Sequence, residues 1–168
     1  MQRILRKIAQ IGVITEPLKP TPHPVLEKLG QQVKEQIGQR FAGSLAIRAV
    51  DSGSCNGCEL EIHALNNPFY DIERFGVHFV ASPRHADLLL VTGVVSRHME
   101  AALRRTYEAT PGPKLVLAMG DCAGNGGEFG ISYASAGPVA NVIPVDGVVT
   151  GCPPTPERLL QAILELIS

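Results

Sequence analysis

Two nearly continuous apolar runs constrain the fold of this chain more than any other feature. Residues 86–95 read ADLLLVTGVV, and residues 114–120 read KLVLAMG. Such runs are typical of strands that are buried on both faces of a parallel sheet. Helical patterns alternate with them, at 58–65, 97–109 and 155–167. Shorter strands are predicted at 45–50, 75–82 and 141–149. The alternation predicts an open, mostly parallel α/β sheet.

The first 43 residues have a different pattern. A short N-terminal helix is predicted, whose apolar face is formed by Ile4, Leu5, Ile8 and Ile11. Basic residues flank that face, so either protein packing or contact with anionic lipid would cover it. Prolines at 17, 20, 22 and 24 predict an extended arm, and a polar helix is predicted at 31–39. We therefore expect an N-terminal helix and proline-rich arm over 1–43 and the main domain over 44–168.

Composition excludes several classes of function. The 168 residues carry a net charge of −1, few aromatic side chains and no Trp, which argues against a nucleic-acid-binding protein. No apolar run approaches the ~20 residues of a membrane-spanning helix, and the start lacks the features of a signal peptide. We predict a cytoplasmic chain, in which paired cysteines more often bind metal or do redox chemistry than form structural disulfides.

The four cysteines all follow predicted strands. Cys55 and Cys58 lie in the segment DSGSCNGCELEI, directly after the strand at 45–50. Cys122 follows the strand at 114–120, and Cys152 follows the one at 141–149. Because the carboxyl ends of parallel strands share one edge of a sheet, all four thiols are predicted to meet at that edge.

Three kinds of chemistry use cysteines in this way. An iron–sulfur cluster suits one CxxC pair and two single cysteines on separate loops, because each iron corner needs one thiolate. A structural zinc site is the second interpretation, although it usually draws on two CxxC pairs. Disulfide or dithiol chemistry is the third, and it leaves Cys122 and Cys152 without a role. Glycines beside the cysteines favour the cluster, since they let backbone N–H groups approach sulfur.

Four sequence blocks carry a family resemblance. They are DSGSCNGCELEI, FGVHFVASPRHADLLLVTGVV, GDCAGNGG and VDGVVTGCPPTPERLL, and together they extend over about residues 45–165. The chain resembles the small, electron-transfer subunit of membrane-bound group 4 [NiFe] hydrogenases of the formate hydrogenlyase type. It is similar, more distantly, to the 20 kDa subunit of respiratory complex I. The complex I pattern has two adjacent cysteines where this chain has Cys-Asn-Gly-Cys, which favours the hydrogenase branch.

The resemblance implies a fold, a cofactor and partners. The fold would be flavodoxin-like, with one [4Fe–4S] cluster on Cys55, Cys58, Cys122 and Cys152. That cluster would lie next to the active site of a large [NiFe]-hydrogenase-type subunit, so the chain alone would have no catalytic residues. It would pass electrons between that subunit and a ferredoxin-like iron–sulfur subunit, beside membrane-embedded subunits and peripheral to the cytoplasmic face of the inner or plasma membrane.

Two other functions remain open at this point. One is that of the 20 kDa subunit of a complex I-like oxidoreductase, which would transfer electrons from NADH or ferredoxin to quinone. Its large partner would be like the 49 kDa subunit. The other is a scaffold stabilised by zinc on the four cysteines, without a redox role.

Further residues are candidates for a supporting role around the cluster. Gly57 and Gly151 adjoin the cysteines. Glu59 and Glu61 could relay protons, although acidic residues are also expected in a first helical turn because of the helix dipole. Arg84 could contact a partner or raise the cluster potential, or it could pair with Asp87 and brace the following strand.

Overall fold

The computed structural model describes residues 2–12 and 23–168. Its strands are β1 (Leu45–Asp51), β2 (Val77–Phe79), β3 (Leu88–Thr92), β4 (Val95–Ser96), β5 (Leu115–Met119), β6 (Ser135–Gly137) and β7 (Gly147–Val149). Five of them form one sheet in the order β2-β1-β3-β5-β7, and every neighbouring pair is parallel. The predicted α/β class with an open, parallel sheet is therefore confirmed.

Helices cover both faces of this sheet. The helices that do so are α2 (Pro24–Arg40), α3 (Gly57–Leu65), α4 (Arg97–Ala109), α5 (Asp121–Asn125) and α6 (Pro156–Ile167), whereas α1 (Gln2–Ile11) is exposed. Leu88 and Leu90 of β3 contribute to a core with α2, α3 and α6. Leu89 and Val91 of the same strand contribute to a second core, with α4 and α5. Alternate side chains of a strand point to opposite faces, so both faces of an apolar strand are buried here, as its composition predicts.

Several boundaries differ from the predicted ones. The helix predicted at 31–39 begins at Pro24, because proline at the first helical position needs no N–H partner. The strands predicted at 75–82 and 141–149 are three residues each. The glycine-rich segment after β5 begins with the short helix α5, which was not predicted. A small antiparallel pair, β4 with β6, was not predicted.

The second helix packs into the main core. Leu26, Val33 and Ile37 are buried against the sheet and α6, and the Arg40 guanidinium donates a hydrogen bond to the Ile167 carbonyl at 2.7 Å. Of the proline-rich arm, Pro17, Pro20 and Pro22 lie outside the described residues. The division of the chain at residue 44 stays a prediction.

The first helix is exposed along its whole length. All ten residues of α1 are accessible to solvent, and none is buried. Within residues 2–12 and 23–168, no helix combines the length and the apolar character that crossing a bilayer requires.

Candidate metal centre

The four thiols meet at the carboxyl edge of the sheet. Cys55 and Cys58 follow β1, Cys122 lies in α5 directly after β5, and Cys152 follows β7. All four line one cavity, together with Ser54, Gly57, Gly93, Gly120, Asp121, Gly151 and Pro153. The strand ends therefore bring the thiols to one site, as the parallel direction of the strands predicts.

The first loop is shaped by Asp51. Its Oδ1 accepts hydrogen bonds from the N–H groups of Gly53 and Ser54, at 2.8 Å each. Asn56 then adopts a left-handed conformation, with φ of 71°, and α3 begins at the next residue. The turn separates the two cysteines of this loop, because Cys55 precedes α3 while Cys58 lies in its first turn.

The end of β3 supports the same loop from behind. Ser52 is fully buried, and its hydroxyl donates to the Thr92 carbonyl at 2.6 Å. Gly93 has φ of +74°, and a β-carbon there would lie 2.4 Å from the Ser54 nitrogen. Only glycine allows the two backbones to approach this closely.

Asp121 joins the two loops that carry single cysteines. Its carboxylate accepts a hydrogen bond from Gly151 N–H at 2.8 Å, and its own N–H donates to the Gly151 carbonyl at 3.0 Å. Gly120 N–H also donates to the Val149 carbonyl at 2.8 Å. These bonds set the position of Cys122 relative to Cys152, since each cysteine adjoins a bonded residue.

Two glycines let backbone contact sulfur. A β-carbon at Gly120 would lie 2.7 Å from Cys58 Sγ, and one at Gly127 would lie 2.9 Å from Cys122 Sγ. Both residues also have positive φ, of 88° and 51°. Any side chain at these positions would displace a thiol.

The thiols affect one another electrostatically. Burial, followed by the negative charges of Glu59 and the other three cysteines, raises the pKa of Cys58 from 9.0 to about 12. Burial, then Cys152 and Cys55, raises the pKa of Cys122 above its usual value. Four thiolates crowded together are unfavourable without a cation, and metal ligation stabilises the thiolate form.

All four cysteines are free thiols. Among residues 2–12 and 23–168, no group of three or more His, Cys, Asp or Glu side chains is spaced to hold a single metal ion. The thiols thus share a cavity without being gathered around one point.

The other predicted residues divide into two sets. Gly57 and Gly151 line the thiol cavity, whereas Glu59, Glu61 and Arg84 do not. The Thr92 hydroxyl donates to Glu59 Oε1. The other oxygen of this carboxylate, Oε2, is buried and has no hydrogen-bond partner in the described part of the chain.

Arg84 lies in a short 3-10 turn (Pro83–His85) and is exposed. Among the described residues it forms no ion pair with Asp87. The Asp87 carboxylate instead accepts a hydrogen bond from Ala46 N–H at 2.9 Å, and so it braces β1 directly.

Sequence reasoning missed the polar residues that shape the loops. Asp51, Ser52 and Asp121 make the hydrogen bonds described above, and none was singled out beforehand. The run Asp-Ser-Gly-Ser was a usable signal, because Asp accepts from backbone N–H groups two and three residues on. No local pattern indicates that Asp121 reaches Gly151, which lies 30 residues later.

Comparison with known families gives a match over most of this domain. The family described as NADH ubiquinone oxidoreductase, 20 Kd subunit, matches residues 55–166. The probable membrane-bound hydrogenase subunit mbhJ of Pyrococcus furiosus is 50% identical over 139 residues, which cover 83% of this chain and 81% of that protein. Formate hydrogenlyase subunit 7 of Escherichia coli is 41% identical over 141 residues, or 84% of this chain. The matched region spans 55% of the length of that E. coli protein.

Solved structures are similar too. A chain in the membrane-bound sulfane sulfur reductase, an archaeal respiratory membrane complex, has a TM-score of 0.66 and 36% identity, with 80% of this chain and 73% of that chain covered. A chain of an NAD+-reducing [NiFe]-hydrogenase has a TM-score of 0.58 over 74% of this chain and 91% of that one. Its identity of 20% supports a shared fold alone.

Proposed function

This chain belongs to the family of the 20 Kd subunit of NADH ubiquinone oxidoreductase, and we propose that it is the electron-transfer subunit of a membrane-associated, hydrogenase-type complex. It carries one [4Fe–4S] cluster on Cys55, Cys58, Cys122 and Cys152. The observation that supports this most directly is the convergence of these four thiols, from three strand ends, on one cavity.

The residues around the cavity fit such a cluster. Four thiolates match the four iron corners of a cubane, and ligands on separate loops suit corners that lie apart. Gly120 and Gly127 keep space beside the sulfur atoms that any side chain would fill. One-electron transfer is the chemistry that the cluster supplies when bound.

The chain itself holds and insulates the site. Asp51 and Asp121 fix the loops through hydrogen bonds to backbone N–H groups. Cys58 is half-buried, and the Glu59 carboxylate adds negative charge beside it. Burial and charge near a cluster are the levers that set its reduction potential.

The relatives support a hydrogenase-type complex over a complex I-like one. Proteins named as subunits of a membrane-bound hydrogenase and of formate hydrogenlyase are 50% and 41% identical to the chain. The Cys-Asn-Gly-Cys spacing of the first loop favours the same branch. A similar chain lies in a complex named as a sulfane sulfur reductase, which supports a role that is not tied to one terminal reaction. The partner, rather than this chain, therefore determines the substrate.

An exposed apolar segment beside the cavity is suited to contact with the large subunit. Phe129, Ile131 and Tyr133 have exposed fractions of 65%, 70% and 98%. Their segment is joined to the site, since Gly126 N–H donates to the Cys122 carbonyl at 3.0 Å. Clustered exposed apolar side chains mark protein interfaces, and an interface here would place the large subunit's active site close to the cluster.

A ferredoxin-like subunit completes the path for electrons, and the whole chain lies peripherally at the cytoplasmic face of the membrane.

Metal analysis of the purified chain tests the cluster. We expect about four iron and four sulfide per chain, as the formula [4Fe–4S] requires, and a brown protein. In the variants Cys122→Ala and Cys152→Ala we expect the cluster to be lost. Ser54→Ala, which changes a cavity residue that is not a ligand, serves as the matched control and should keep the iron. A colourless protein with one zinc would instead establish the zinc scaffold.

Nickel analysis of the copurified complex tests the partner. A hydrogenase-type large subunit contributes nickel and two CxxC pairs, whereas a complex I-like large subunit contributes neither. Iron in this chain together with a nickel-free partner would leave the cluster assignment intact and overturn the hydrogenase assignment.

A further inference from the structure

The N-terminal helix α1 combines an apolar face with an entirely cationic set of charges. Ile4, Leu5, Ile8 and Ile11 follow the spacing i, i+1, i+4 and i+7, which places them on one side of a helix. Their exposed fractions are 65%, 60%, 60% and 55%. This apolar face is therefore uncovered. A helix of only ten residues has little stability in water on its own.

The charges of α1 indicate what covers this face. Arg3, Arg6 and Lys7 are its only charged side chains, and acidic residues are absent from it. A second copy of the same helix would bring cations against cations, which is unfavourable. A short helix with aliphatic side chains on one face and Lys and Arg on the other is typical of helices that lie in the plane of a membrane surface.

We infer that α1 is an interfacial anchor, lying on a bilayer that contains anionic lipid. Its isoleucine and leucine side chains enter the boundary between headgroups and acyl chains. Its arginine and lysine side chains extend along the surface to the lipid phosphates, as long basic side chains do at interfaces. This inference rests on the proposed membrane-associated position of the chain, and it is independent of the cluster.

Binding of the full chain to vesicles tests the anchor. We expect the chain to float with vesicles that contain phosphatidylglycerol, to remain free of pure phosphatidylcholine vesicles, and to be released by high salt. The double variant Arg3→Gln/Lys7→Gln should bind roughly twenty-fivefold more weakly, since each basic residue near an anionic surface contributes about fivefold. The matched control is Lys28→Gln/Lys34→Gln, which removes two exposed cations from α2 and should bind like the unmodified chain.

A fluorescence measurement gives a second, independent readout. The chain contains no Trp, so one introduced Trp reports on its own position alone. Trp in the variant Ile8→Trp should shift to shorter wavelength on the anionic vesicles, because its ring leaves water. Gln10→Trp, on the polar side of the same helix, should shift much less.

Three results would overturn the anchor. The first is no binding of the full chain to anionic vesicles, and the second is equal binding by the α1 and α2 charge variants. The third is retained vesicle binding by the α1 variant together with loss of a protein partner from the purified complex, because α1 would then contact protein. Iron and sulfide content is measured in the same samples. If an α1 variant retains its iron and sulfide but no longer binds the vesicles, membrane binding and the proposed redox role are separate properties of the chain.

Discussion

The thiol-bearing loops and α1 differ in how far their structure depends on specific contacts with the rest of the chain. In the loops, carboxylates and backbone groups have specific partners, and a β-carbon at Gly53, Gly120, Gly127 or Gly151 would lie within 3 Å of another atom. In α1, every side chain faces solvent. The loops depend on individual contacts, so single atoms matter there. The function of α1 depends on composition and spacing, so single substitutions on it should leave the fold unchanged.

The largest effect is expected at Gly120, where a β-carbon would lie against a thiol of the site. Gly120→Ala places a β-carbon against Cys58 Sγ, in a backbone region with φ of 88° and ψ of 160° that is nearly specific to glycine. Strain of about 1–3 kcal/mol and overpacking of about 1–3 kcal/mol should lower the free energy of unfolding, measured with urea, and the iron content should fall.

Gly130→Ala is the matched control for this change. Gly130 also has positive φ, of 53°, but a β-carbon there meets nothing within 4 Å. The Gly130→Ala variant should therefore show the effect of backbone strain alone and keep its iron. Equal losses of stability and iron in both variants would show that the close contact with Cys58 is unimportant.

A smaller effect is expected at Asp121, which joins two loops through one carboxylate. Asp121→Ala leaves Gly151 N–H without its acceptor at 2.8 Å. Hydrogen bonds to charged groups contribute about 1.5–3 kcal/mol, so the free energy of unfolding should fall by about 2 kcal/mol and iron should be released faster by a chelator.

Asp121→Asn separates the hydrogen bond from the charge. The amide retains an oxygen acceptor, so we expect it to recover most of the stability that Asp121→Ala loses. If the Asn variant is as unstable as the Ala variant, the negative charge, rather than the bond to Gly151, holds the loops together.

These contacts also show where sequence reasoning succeeded and where it stopped. The alternation of apolar runs and helical patterns was sufficient for the sheet, because burial on both faces leaves a strong local pattern. The meeting of the four thiols followed from strand direction alone. The bond from Gly151 to Asp121 and the approach of Gly93 to Ser54 depend on how distant loops pack, which no local pattern encodes. The length of the edge strand β2 was overestimated, since the strand ends at Phe79 and only the Val80 N–H, which donates to the Ile47 carbonyl, continues its pairing with β1.

A subtler effect, on pH dependence, is expected at Cys58 in the protein without its cluster. The pKa of this thiol is raised from 9.0 to about 12, chiefly by burial. Between these values the folded chain keeps a proton that the unfolded chain has lost, so stability is fully present below pH 9 and declines as pH rises towards about 12. The measurement is urea unfolding across this range, with Cys58→Ser as the comparison. Parallel curves for the two proteins would contradict the raised pKa.

The smallest effect on the free energy of unfolding is expected from substitutions in α1. The double variant Ile4→Ser/Leu5→Ser removes two large aliphatic side chains, but both are exposed, so the free energy of unfolding should change by less than about 0.5 kcal/mol. Leu26→Ala in α2 is the contrasting variant, because Leu26 is only 2% exposed and loss of a buried leucine costs about 2–5 kcal/mol. A marked loss of stability in the α1 variant would mean that its apolar face packs on the protein, and the membrane would then not be needed to cover it.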